Sequence, residues 1–151
     1  MSIITHNKAN GYVGWLGNRM FMWASTVGIS IKNNMGVLFP HHEYMDAFKG
    51  EFHAADNLQE LTTIDLAESQ FHYQDIQLNP DLNYNLSGYY QSEKYFKHCE
   101  SLIREMFTFN DTIHNECYSI IQQTGNRHFG KDIVSIHFRF GDYLALKHCY
   151  V

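Results

Sequence analysis

Gly14-Trp15-Leu16-Gly17-Asn18, followed by the run from Arg19 to Lys32, is the stretch on which the fold turns. Met20, Trp23, Ala24, Val27 and Ile31 recur at helical spacing and predict an amphipathic helix with one apolar stripe. Gly28 inside it costs up to about 1 kcal/mol against alanine, which close packing would offset. Tyr12-Val13 reads as the end of a short strand feeding the glycine turn. A strand, a glycine turn and a helix in this order begin a βα unit.

Working outward, Gly36 to Phe39 is a brief apolar run ended by Pro40, the next strand. His41 to Phe48 suits a helical turn or two, with Gly50 as its stop. From Glu51 to Asn79 the periodicity is poor and predicts loops, with short strands near Phe71 to Leu78. Tyr84 to Tyr90 is aromatic enough for a strand. Ser92 to Phe107 predicts one helix with Ser92 as N-cap, its apolar face running from Tyr95 and Phe96 to Met106 and Phe107. A further helix is expected from about Asp111 to Thr124, with Ile113, Cys117, Ile120 and Ile121 inward and Gly125 as its stop. Ile133-Val134-Ser135-Ile136-His137-Phe138 reads as a buried strand. Alternation of this kind predicts an α/β, Rossmann-like layered domain with a mainly parallel sheet. No linker, repeat or low-complexity stretch divides the chain, so residues 1–151 are expected to form a single domain.

Composition bounds the function. The 151 residues carry 44% hydrophobic and 18% charged side chains, the balance of a globular protein able to bury a core. Most of the 15% that are aromatic lie at core spacing. Net charge is −5 without a basic stripe, which argues against a nucleic-acid partner and leaves room for an anionic small molecule. Cys99, Cys117 and Cys149 have no close-pair spacing, so a reducing, cytoplasmic setting is expected. No window of about 18 apolar residues predicts a transmembrane segment. The triplets Asn85-Leu86-Ser87 and Asn110-Asp111-Thr112 fit N-glycosylation, but the second falls where a helix cap is expected.

Ligands of parallel α/β sheets bind beyond the carboxyl ends of the strands, where Gly17-Asn18 and Arg139 are both expected. Arg139 follows an apolar strand, and its planar, permanently charged fork suits a diphosphate. His137 lies two residues earlier on the same strand face. Asp142 follows the Gly141 turn and can pair with the arginine. An ordinary strand-end ion pair between Arg139 and Asp142 fits the same spacing. Gly14 and Gly17 allow close backbone approach, and free N–H groups at a helix start attract anions. Ten histidines raise the question of a metal, but none shows helical i, i+4 pairing beside an acid, and the adjacent His41 and His42 point apart. No metal is expected. No Gly-x-Ser-x-Gly elbow marks a nucleophile.

Three segments, in order along the chain, resemble the alpha-1,2-fucosyltransferase family of inverting glycosyltransferases. Gly14-Trp15-Leu16-Gly17-Asn18-Arg19-Met20-Phe21 resembles the family's Gly-Gly-Leu-Gly-Asn-Gln-Met-Phe signature. Gly88-Tyr89-Tyr90-Gln91-Ser92-Glu93-Lys94-Tyr95-Phe96 resembles its Gly-Tyr-Trp-Gln-Ser-Glu-Lys-Tyr-Phe segment. Ser135-Ile136-His137-Phe138-Arg139-Phe140-Gly141-Asp142-Tyr143 resembles its donor motif His-x-Arg-Arg-Gly-Asp-Tyr. The resemblance implies the first half of a GT-B type fold and metal-free transfer of fucose from GDP-fucose to a galactoside hydroxyl. It implies that Arg139 contacts the donor's diphosphate as the catalytic residue. His137 and Asp142 would shape that donor pocket, and Gly14, Gly17 and Asn18 would face it from the N-terminal side. Implied partners are the nucleotide sugar and a glycan acceptor, with a second copy or a separate C-terminal half covering the remaining surface.

The departures are Trp15 for a glycine, Arg19 for a glutamine, and Phe140 for the second arginine of the donor motif. The family's later donor motifs have no match in these 151 residues, so the expected transferase is incomplete in this chain. The alternative expectation is a truncated, non-catalytic remnant or a sugar- or nucleotide-binding module.

Overall fold

The computed structural model describes residues 1–7, 14–128 and 130–136. The expected strand end at Tyr12-Val13 lies outside them. The chain divides into two compact units, Met1–Ile113 and His114–Val151.

The first unit is α/β with an all-parallel sheet. β1 (Ile3–His6) leads to α1 (Leu16–Lys32), and then to β2 (Gly36–Val37) and β3 (Phe39–Pro40). β4 (Ala54–Ala55), β5 (Ile64–Ala67) and β6 (Tyr84–Ser87) follow. α2 (Glu100–Met106) comes next, and α3 (Asp111–Arg127) begins at the unit's end. The four-stranded sheet runs in the order β2-β1-β6-β5, and β3 pairs with β4 in a second, two-stranded ladder. Every ladder is parallel, with Ile4 opposite Val37 on one side and Tyr84 on the other. The mainly parallel, Rossmann-like layering expected from the sequence is thus the architecture of this unit.

Helix α1 is the hub, and it buries more than one stripe. Trp23, Ala24 and Val27 join Phe39, Met45 and Ile103 in one core cluster. Ile29 joins Ile4, Leu86 and Tyr95 in a second. A third face, Asn18, Phe21, Ser25 and Gly28, carries the segment 90–96. Asn18 bonds Gln91, the Phe21 ring lies 6.1 Å from that of Phe96, and the Ser25 hydroxyl donates to the Tyr90 carbonyl at 2.7 Å. All residues from Met22 to Ser30 are therefore buried, while Ile31, assigned by spacing to the stripe, is 44% exposed. The polar members satisfy themselves locally, as Thr26 and Ser30 donate to the carbonyls of Met22 and Val27. At Gly28 backbone meets backbone. A Cβ there would stand 2.2 Å from the Tyr95 carbonyl oxygen and 2.8 Å from Phe96 Cα. The close packing expected to offset this glycine is present.

Several expected elements differ. Ser92 to Phe107 is not one helix. It is a pair of short 3₁₀ turns, Glu93–Tyr95 and Lys97–Cys99, followed by α2. The break falls at Phe96 (φ −128°, ψ 6°), beside the backbone pressed against Gly28. Ser92 precedes the first turn without a capping side-chain bond. Gly50 is not a helix stop: the 3₁₀ run Glu43–Ala47 ends at an extended Phe48, and Gly50 makes room for the Met106 backbone, 2.3 Å from where its Cβ would sit. The single strand expected from Gly36 to Phe39 is split into β2 and β3, and Pro40 is the last residue of β3.

The strands placed near Phe71 to Leu78 are absent there; β4 and β5 lie earlier instead. Tyr73, Ile76 and Leu78 are apolar because they pack on the second core cluster. The backbone of that loop bonds side chains rather than a ladder: Gln74 N–H to the Tyr95 hydroxyl (3.1 Å), Leu78 N–H to Asn33 Oδ1 (2.8 Å) and Asn79 N–H to the Tyr84 hydroxyl (3.2 Å). β5 is an edge strand, with Ile64, Asp65 and Ala67 all exposed.

α3 starts as expected, with Asn110 Oδ1 accepting the Ile113 N–H at 3.0 Å. It continues through Gly125 to Arg127, and the supposed inward residues Ile120 and Ile121 are 64% and 56% exposed. Periodicity reported the helix but not what covers it. In the second unit, residues 133–136 are irregular rather than a buried strand, and Val134 is 79% exposed. β-branched residues make a strand only where a neighbouring backbone completes the ladder, and no ladder reaches these four. His137 and Phe138 lie outside the described residues.

The Gly28 contact yields a prediction of opposite sign to ordinary helix propensity. Gly28→Ala is expected to destabilise by about 1–3 kcal/mol, overpacking outweighing the helical gain. Urea unfolding measures it, and equal or greater stability would contradict the backbone contact.

Candidate functional site

The strand order identifies where a ligand site belongs. From the central β1 the chain first crosses to β2 on one side, then later builds β6 and β5 on the other. The position between diverging connections, beyond the carboxyl ends of β1 and β6, is the topological switch point at which such sheets bind ligands. Three turns converge there: His6-Asn7 after β1, Gly14 to Asn18 opening α1, and Gly88 to Gln91 after β6.

All three turns contain left-handed backbone. Gly14 has φ 107° and Gly88 φ 136°, where L side chains are strained, while Asn7 (φ 49°) and Tyr90 (φ 47°) adopt αL with a side chain present. A Cβ on Gly14 would also lie 2.5 Å from Asn18 Nδ2. Glycine is thus doubly required at Gly14. Gly17 differs: its φ is not positive and a Cβ would meet nothing within 4 Å, so it leaves open space at the helix start. Asn18 Oδ1 accepts a hydrogen bond from Gln91 Nε2 at 2.9 Å, joining the first two sequence segments.

Arg19, the departure from glutamine, is buried with its guanidinium 5.5 Å from the centre of the Tyr44 ring. Nearby His42 is held below its ordinary pKa, first by burial and then by the Arg19 charge. Trp15, the departure from glycine, is exposed at the helix entry without capping it.

Beneath these turns lies His6, fully buried. Its Nε2 donates to the Gly88 carbonyl (2.9 Å), and its Nδ1 lies 2.9 Å from the Thr26 hydroxyl. Its ring meets Tyr90 edge-on with centroids 5.6 Å apart. Burial lowers its pKa from 6.5 to about 4, partly opposed by the Gly88 hydrogen bond. The neutral ring therefore pins the β6 turn to β1 at physiological pH.

Of the sequence-assigned residues, Gly14, Gly17 and Asn18 stand together at this switch point, whereas His137, Arg139 and Asp142 lie outside the described residues. Sequence reasoning passed over His6, Glu68 and Gln91. Gln91 lies inside the 88–96 segment, but nothing in one sequence couples it to Asn18. Among the described residues, no group of three His, Cys, Asp or Glu side chains is placed to hold a metal ion, and no helix is long and apolar enough to cross a membrane. Comparison with family models, curated proteins and solved structures finds no match to this chain.

The buried imidazole makes stability pH-dependent. Because its folded pKa is depressed, the unfolded chain takes up the proton first. His6 imposes no penalty above pH 6.5, and stability falls as pH drops from 6.5 toward 4. The loss should reach about 3 kcal/mol near pH 4. Denaturant titrations across that range should show it in the wild type and not in His6→Gln; parallel profiles would contradict the assignment.

Proposed function

We propose that the chain binds GDP-fucose as part of an inverting fucosyltransferase that delivers fucose to a galactoside hydroxyl. The observation that carries this reading is the ordered triplet of segments at 14–21, 88–96 and 135–143. Support from the fold is the Asn18–Gln91 hydrogen bond, which joins the first two segments at the switch point of a parallel sheet.

In this proposal Arg139 neutralises the diphosphate, and its interaction strengthens as charge moves onto departing GDP. The resemblance assigns His137 and Asp142 to the donor motif with Arg139, and Asn18, held over Gly14, has amide N–H groups that suit oxygens of such a donor. Attack by an acceptor hydroxyl on fucose C1 inverts that centre, with the hydroxyl proton passing to a base. No metal takes part. The spacing of Cys99, Cys117 and Cys149 fits a cytoplasmic setting.

A second reading, a nucleotide-sugar-binding module without transfer, is favoured by Phe140, which leaves one arginine where the family motif has two. Labelled GDP-fucose with a galactoside acceptor separates the two: fucosylated product supports the transferase, and donor binding without product supports the module.

Both readings require the Arg139 contact. Arg139→Ala should weaken GDP binding by about 10- to 150-fold, the equivalent of one charge-assisted hydrogen bond of about 1.5–3 kcal/mol. Calorimetry giving equal affinities would remove Arg139 from the site. Phe140→Arg should raise donor affinity, and an unchanged value would show that the second arginine position does not face the diphosphate.

A further inference from the structure

Tyr90 is a buried, non-glycine residue in the left-handed region, a conformation that costs about 1–2 kcal/mol and persists only where its surroundings enforce it. The enforcement is on every side. Its N–H donates to Glu68 Oε1 (3.0 Å), its carbonyl accepts from the Ser25 hydroxyl (2.7 Å) and its own hydroxyl donates to the Leu66 carbonyl (3.0 Å). The neighbouring Tyr89 N–H donates to the other Glu68 oxygen at 2.7 Å. One carboxylate therefore grips two successive backbone N–H groups, a stronger clamp than neutral acceptors provide. Gly88 accommodates it: a Cβ there would lie 2.4 Å from Glu68 Cβ.

The clamp has an outlet. The residue after the strained Tyr90 is Gln91, exposed but bonded through Nε2 to Asn18 Oδ1. With Oδ1 engaged, the Asn18 carboxamide has one orientation, in which Nδ2 lies against Gly14 and its N–H groups are the donors left for a ligand. Glu68 sits just past the exposed edge strand β5, in none of the motif segments, and touches no residue of α1 in this chain of contacts.

We infer that Glu68 is a positioning residue for the switch-point site: by clamping the 89–90 backbone it holds Gln91 against Asn18 and so fixes which face of the Asn18 amide meets the ligand. The inference deepens the GDP-fucose reading and rests on it only for the identity of the ligand, an oxygen-rich anion that accepts from Asn18. A merely structural Glu68 would stabilise the turn but leave the Asn18 side chain indifferent to it.

The test uses the ¹⁵N-labelled full chain as wild type, Glu68→Gln and Gln91→Ala. Glu68→Gln keeps size but leaves one oxygen for two N–H groups. The expected result is faster amide exchange at Tyr89 or Tyr90, together with Asn18 side-chain amide resonances displaced toward those of Gln91→Ala. Asn18 resonances that stay in place in Glu68→Gln, or in both variants, would overturn the inference. GDP titration adds an independent arm. Each single variant should weaken GDP binding about tenfold, and the double variant no further than Gln91→Ala alone, because Glu68 acts through Gln91. Additive losses would contradict that route. A wild-type chain that does not bind GDP would refute the proposed ligand, while the Asn18 resonances would still decide the role of Glu68.

Discussion

The contact between Gly28 and the backbone of Tyr95 and Phe96 is the constraint from which the arrangement around the site follows. Only at a residue without a Cβ can a second chain segment lie directly on the helix. That approach lays residues 90–96 along the 18, 21, 25, 28 face of α1, so the Tyr90 carbonyl reaches Ser25 and the Gln91 side chain reaches Asn18. The same segment leaves β6 through the Gly88 turn, which His6 and Glu68 fasten to β1 and to the end of β5. Packing in the middle of the helix thus sets the geometry at its N-terminus.

Left-handed backbone gathers mainly at one end of the sheet, with Asn34 between α1 and β2 and Gly130 in the second unit as the other described instances. Asn7, Gly14, Gly88 and Tyr90 all adopt left-handed backbone beyond the strand ends. The groups holding the β6 turn are chemically diverse: a neutral buried imidazole, a half-buried carboxylate, and a serine hydroxyl from the helix. Such over-determination at a strand-order reversal is characteristic of preorganised sites, where donors must stand ready before the ligand arrives.

What could be read from the sequence followed the range of the interaction. The α1 pattern, the start of β6 at Tyr84 and the parallel layering were legible because helical and strand periods are local properties of the chain, whereas β6 ends at Ser87 and the expected strand residues Gly88 to Tyr90 form the turn. α1 nevertheless hid two of its three contact faces: Asn18, Ser25, Thr26 and Gly28 look polar or weak, yet each meets a specific backbone or side-chain group. The break at Phe96, the loop at 71–78 and edge strand β5 depended on partners distant in sequence, which no window can display. Ile120, Ile121 and Val134 show the converse, since an apolar period records what a residue would prefer and not what lies over it. For the site, Gly14 and Asn18 were legible as a glycine turn, whereas Glu68 and His6 carry no motif and gain meaning only from the Gly88 turn they both hold.

In the proposed site a nucleotide diphosphate binds where the β1 and β6 turns meet the start of α1. Titrating GDP into the ¹⁵N-labelled chain and mapping amide shifts tests it most directly. Binding there should give saturable shifts concentrated at Gly14 to Asn18 and Gly88 to Gln91, with little change at the far end of α1 near Lys32. Saturable shifts centred elsewhere, or none at these turns under excess GDP, would contradict it.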